Sequence, residues 1–187
     1  ATAIRGSVAI GTPMLQFLQQ ASDFGLTKEA QLVAPIGLPD WLVAKLGSLS
    51  TSVISAGSWA AWRYEDNEPA TKQFNEAFFK IHGRVAGMQA LQAGSAAQML
   101  YSAISKAGST DPDKVVQALE TIEARTPVGA LKFQDGGRQA MVPLFLGPYE
   151  AVNPPLYGAQ FAQRVETAFP ASKSLPQSAA ESGCKLK

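Results

Sequence analysis

The chain carries one cysteine, one histidine and almost no excess charge, and each scarcity removes a class of chemistry. A lone thiol, Cys184 in ESGCKLK, cannot close an internal bridge. It is either a free thiol or the partner of a cysteine on a segment or chain outside this sequence. A lone imidazole, His82, leaves a serine or cysteine nucleophile without a choice of base, and no cysteine or acidic cluster lies near it to complete a metal site. His82 follows Phe78, Phe79 and Ile81 and precedes Gly83, so it reads as a structural residue that favours a helix C-terminus electrostatically. With 16 basic and 15 acidic side chains the net charge is +1, which offers no field for nucleic acid or an anionic membrane. No run approaches the roughly 18 apolar residues of a membrane helix, and no secretory signal pattern is legible in these residues.

Enzyme motifs are absent as well. GTPML, after the first apolar run, has one glycine where a dinucleotide or phosphate loop needs several. Nothing resembles a nucleophile elbow. The densest acidic run, Glu65, Asp66, Asn67 and Glu68, adjoins Pro69 and suits a solvated connection better than a pair of catalytic carboxylates. The expectation is a protein that is not an enzyme and holds no cofactor and no metal.

What remains is an ordinary globular composition, 187 residues with 46% hydrophobic and 17% charged side chains, enough for one sizeable core or two small ones. SVAI (7–10) reads as a strand. Gly11, Thr12 and Pro13 then form a tight turn, an N-cap and a first-turn proline, opening an amphipathic helix through Leu15, Leu18 and Ala21 to a C-cap at Gly25. QLVAPI (31–36) is the next strand, GLPDWLVAKLG a turn and short helix, and TSVISAG (51–57) a third strand. Strand, helix, strand, helix, strand at this spacing predicts an α/β fold with a parallel sheet and flanking helices.

After WRYEDNEPAT (62–71), a polar connection, a helix carries Phe74, Phe78 and Ile81. A longer one runs from about Val85 to Ala107 with Met88, Leu91, Leu100 and Ile104 on its buried side. AGSTDPDKVVQALE (107–120) then holds a C-cap glycine, Gly108, a capping-box spacing from Thr110 to Asp113, a first-turn Pro112 and the stripe Val115, Val116, Leu119 and Ile122. Around Asp135, Gly136 and Gly137 the period changes to two, predicting a hairpin-like strand pair. The tail beyond Val152 is rich in Pro, Ser and Ala and has one helical patch near Phe161 to Phe169.

Turn residues cluster just past the ends of the three predicted strands, where open α/β sheets bind small molecules. Gly11 and Thr12, Gly37 and Leu38, and Ser58 and Trp59 would face one crevice. Backbone N–H groups, hydroxyls and an indole make a small-molecule lining. Taken singly, Trp59 and Trp62 also suit a core, Thr12 a helix cap and Gly37 a turn.

FLQQASDFGL (17–26), QFNEAFFKIHG (73–83), AISKAGSTDPDKVVQALE (103–120) and TPVGALKF with DGGRQ (126–139) together resemble the C-terminal half of type I periplasmic binding proteins. These are the leucine/isoleucine/valine receptor-like solute-binding components of bacterial ABC importers. The resemblance covers about residues 1–150 and implies two Rossmann-like lobes that shut on a ligand. It assigns 1–82 to a second-lobe βαβ segment, 83–140 to first-lobe helices and a strand, and 141–187 to a return to the second lobe and a C-terminal tail. The missing N-terminal half would hold the rest of the first lobe and a signal peptide, and without it the long helix would expose an apolar face. The implied function is extracytoplasmic capture of a small polar solute (amino acid, carboxylate or amide) and delivery to an inner-membrane ABC permease. The alternative is a ligand-sensing regulatory domain of the same fold. A carboxylate that the resemblance places before Gly57 is replaced here by Ala56, so the resemblance does not select among those solutes.

Overall fold

The structure, a computed structural model, describes residues 2–5, 11–57, 68–134, 138–173 and 183. The first strand expected at SVAI lies outside them. The observed β1 is Thr2–Arg5, parallel to β2 (Ala30–Ala34) with Ile4 opposite Leu32. β2 is parallel in turn to β3 (Val53–Gly57), with Val33 opposite Ile54. The predicted parallel sheet is therefore present, and it continues through antiparallel strands. β7 (Leu144–Leu156) pairs with β3, β8 (Ala159–Gln163) pairs with β7, and β9 (Thr167–Phe169) also pairs with β7.

Helix α1 (Thr12–Asp23) starts where Gly11, at φ 102°, turns the chain, and Pro13 occupies its first turn. The cap is thus Gly11, with Thr12 already helical and exposed. Met14, Leu18 and Ala21 are four and three residues apart and all are buried. Gly25, at φ 78°, breaks the chain between α1 and the short α2 (Leu26–Glu29). Helix α3 (Asp40–Leu46) buries Leu42, Val43 and Leu46, and a 3-10 turn (Gly47–Ser52) leads into β3. These side chains meet Leu32, Ala34, Leu38, Val53 and Tyr149 in one core between helices and sheet.

A second packing unit follows. Helices α4 (Pro69–His82), α5 (Met88–Ala107) and α6 (Pro112–Glu120) lie with a three-stranded antiparallel sheet of β4 (Glu123–Thr126), β5 (Gly129–Phe133) and β6 (Ala140–Met141). The hairpin expected around Asp135 is the β5–β6 pair, with Gln134 N–H donating to the Gln139 carbonyl at 3.0 Å; its tip, 135–137, lies outside the described residues. Phe74 and Phe78 of α4 pack with Ala86, Leu91, Ala124, Val128 and Leu131. Thr71 Oγ1 donates to the Pro127 carbonyl at 2.5 Å. By its buried contacts α4 packs with this unit, and it touches the first sheet where Phe79 meets Tyr157 at 5.6 Å between ring centroids.

Three local expectations are corrected. The residues from Phe161 to Phe169 form no helix: they fall in β8, a crossing link and β9, because pairing with β7 supplies backbone partners that local propensity cannot see. On α5 the buried stripe is Leu91, Ser95, Met99 and Ala103, while Leu100 and Tyr101 are 48% and 69% exposed. Buried Ser95 explains the phase, since its hydroxyl donates to the Leu91 carbonyl and accepts from Val128 N–H, tying α5 to the β4–β5 turn. The α6 cap is Asp111, whose Oδ1 accepts from Lys114 N–H at 3.1 Å, in place of the Thr110–Asp113 box. Among the described residues no helix is long and apolar enough to cross a membrane.

Candidate functional site

Because β1, β2 and β3 are parallel neighbours, the chain leaves all three at one edge of the sheet, after Arg5, Ala34 and Gly57. Gly11 is half-buried at the start of α1, and Thr12 beside it is exposed. Gly37 and Leu38, three and four residues past β2, are buried, and Ile36 before them is 49% exposed. Ser58, Trp59, Trp62 and Glu65 lie outside the described residues. Ala56 is inside β3 opposite Leu146, a position within the ladder.

The loop after β2 is held from behind by Tyr149 on β7. Its phenol oxygen accepts from Leu38 N–H at 3.0 Å and lies 3.5 Å from Ser55 Oγ. Burial pushes the Tyr149 pKa up to about 12, against smaller lowering effects of the Ser55 and Leu38 hydrogen bonds, so the group stays a neutral phenol. Gln163 on β8 adds a second clasp, with Nε2 donating to the Ser55 carbonyl at 2.6 Å and the Gly147 carbonyl at 3.2 Å.

A half-open cavity of about 300 Å3 lies beside this clasp, where the two packing units meet. Its walls include Leu38 from the loop after β2, Asp40 and Trp41 from the start of α3, Arg84 from the α4–α5 link, and Tyr157 and Phe161 from the β7–β8 hairpin. Of the four predicted residues that are described, Leu38 lines it. Gly11, Thr12 and Gly37 stay at the strand edge, so the predicted crevice and this cavity share one wall.

Asp40 is the charged group of note. Burial raises its pKa to about 6, opposed by its own backbone N–H, that of Met88 and the Arg84 guanidinium. Its carboxylate lies against Gly87, where an added Cβ would overlap Oδ2. Asp40, Arg84, Tyr149 and Gln163 were not singled out by sequence reasoning. Pro39-Asp40 at a helix start was the one local sign for Asp40; the others take their meaning from contacts distant in sequence. Among the described residues no group of three or more His, Cys, Asp or Glu side chains could hold a metal ion.

A parallel sheet with its strand ends at one edge, two separately cored units and a joint between them invite comparison with known proteins. A family model described as periplasmic binding protein matches residues 6–153. The chain belongs to this family. It is a type I periplasmic binding protein in its sequence relatives and in its fold. It is 31% identical over 121 residues to the leucine-, isoleucine-, valine-, threonine- and alanine-binding protein of Pseudomonas aeruginosa, a match that takes in 64% of this chain and 31% of that protein. A periplasmic binding protein from Burkholderia mallei superimposes with a TM-score of 0.80 at 19% identity, over 100% of this chain and 48% of that one. A solute-binding protein of an ABC transporter from Rhodopseudomonas palustris, in complex with 3,4-dihydroxybenzoic acid, gives 0.74 at 22% identity over 90% and 45%. This periplasmic binding protein chain therefore spans less than half the length of the proteins it matches.

Proposed function

We propose that the chain is the C-terminal part of the extracytoplasmic solute-binding component of an ABC importer. It would present one wall of a cleft that takes a small polar solute, an amino acid, carboxylate or amide, and would hand it to an inner-membrane permease. A signal peptide and the rest of the first lobe would belong to the N-terminal half. The observation that carries this reading is the common edge of β1, β2 and β3 with turn residues gathered on it, beside a second unit with its own core. Gly11, Thr12, Gly37, Leu38, Ser58 and Trp59 are assigned to that wall. The packing of α4 supports a boundary between units ahead of Pro69, earlier than the 82 expected from sequence, with the chain returning to the first sheet at β7.

Function follows from hinge closure: a solute that touches both lobes favours the closed state by its differential affinity, and the permease distinguishes closed from open. No bond is made or broken. The full-length protein should gain thermal stability from one solute class, by about 2.7 kcal/mol at a hundredfold excess over the dissociation constant. The panel should include branched aliphatic amino acids and hydroxybenzoates, the ligand types named for the Pseudomonas and Rhodopseudomonas proteins. A flat response across amino acids, organic acids and amides would refute the reading.

A further inference from the structure

We propose that Asp40 is a positioning residue: its carboxyl group, seated in the space that Gly87 leaves, ties the start of α3 to the start of α5 and so sets the relation between the two packing units. The two helices belong to different units. α5 begins at Gly87 with no side-chain cap of its own, and the Met88 backbone N–H is bonded by the Asp40 carboxyl group from across the joint. Gly87 has an ordinary extended backbone, φ −75° and ψ 168°, so it is glycine for room and not for conformation. The room it leaves is filled by Asp40 Oδ2. The charged and titratable groups facing Asp40 are Arg84, from the α4–α5 link, and Tyr149, from β7, whose phenol stays neutral throughout the relevant range.

Linkage sets the sign. The carboxyl group, packed in the joint, titrates near 6, and released to water it would regain its ordinary value of 3.8. A raised carboxyl pKa means that the packed joint binds the proton more tightly than the open one. Its contribution is complete below the solvated value and is lost as pH rises through 6. Between pH 5 and pH 7.5 the opening equilibrium should shift about tenfold toward the open joint. A simple carboxylate cap would do the opposite, weakening as it is protonated.

The test uses the full-length protein without solute, so it stands apart from the solute-binding reading. Exchange of the Met88 amide, corrected for its intrinsic pH dependence, is compared in wild type, Asp40→Asn, Asp40→Ala and Gly87→Ala. Wild type should be protected about tenfold better at pH 5 than at pH 7.5. Asp40→Asn should stay protected with no such dependence, and Asp40→Ala and Gly87→Ala should each lose about tenfold in protection. Combining Asp40→Ala with Gly87→Ala should cost little more than Asp40→Ala alone, since the new methyl then meets no carboxylate. Protection that falls on acidification, a wild-type pH profile retained in Asp40→Asn, or fully additive losses in the double variant would each overturn the proposal.

Discussion

Replacing Gly147 by Ala should be among the most damaging single-methyl changes in the chain. Gly147 is buried in β7 opposite Ser55 of β3, and the link between β8 and β9 crosses over it. An added Cβ would overlap the Arg164 carbonyl oxygen and lie 2.9 Å from the Arg164 carbonyl carbon and 3.1 Å from Glu166 N. A side chain could swing aside, but this is backbone, and it is pinned on both sides. Arg164 N–H donates to the Pro148 carbonyl at 2.7 Å and Glu166 N–H to the Leu146 carbonyl at 2.9 Å. Relief therefore requires the link to lift and lose those bonds. Overpacking typically costs about 1–3 kcal/mol and each bond about 1 kcal/mol, giving roughly 3–5 kcal/mol. With a urea slope of about 2 kcal/mol/M, the unfolding midpoint should fall by about 2 M. Gly108→Ala is the control, a helix-end glycine at φ 59° with nothing within 4 Å of the new methyl, where only the backbone penalty of about 1 kcal/mol applies. If Gly147→Ala unfolds within about 0.5 kcal/mol of wild type, the link is not seated on Gly147 and the pairing of β9 with β7 fails with it.

Gly94→Ala places a methyl 2.5 Å from Phe74 Cε2 and 2.9 Å from Cζ; the ring can tilt only into its own cluster, so denaturation should show a loss of about 1–2 kcal/mol, and an unchanged midpoint would refute the α4–α5 contact. Tyr149→Phe leaves the buried Leu38 N–H without its acceptor and should cost about 1–2 kcal/mol. The same residue predicts an alkaline loss. Its phenol is raised from 10.0 to about 12, so stability present below pH 10 should fall by about 2 kcal/mol as pH climbs to 12, in wild type and not in Tyr149→Phe.

Local chemistry was legible where one short stretch decides the outcome. Gly25, Gly83 and Gly108 all take positive φ at helix ends, and α1, β2, α3 and β3 follow in the expected order, because a glycine stop or a proline start needs no distant partner. The misreadings share the opposite property. Phe161 to Phe169 carries helical spacing, yet its neighbours in the ladder lie 10 or more residues away on β7, and pairing overrides the spacing. The α5 stripe slipped by a residue because a hydrophobicity pattern gives Leu100 more weight than Ser95, whereas burial follows the hydroxyl that serves Val128. The site divides the same way. Glycines and hydroxyls after strands could be marked as a candidate edge from turn chemistry alone. The groups that hold that edge could not: Tyr149 meets Leu38 across 111 residues, and Gln163 meets Ser55 across 108. A segment that leaves the sheet and returns to it after a separate unit must place its supports far from the loops they steady. In a chain built this way, the residues that hold the loops of the edge in place are the ones a linear pattern is least able to reveal.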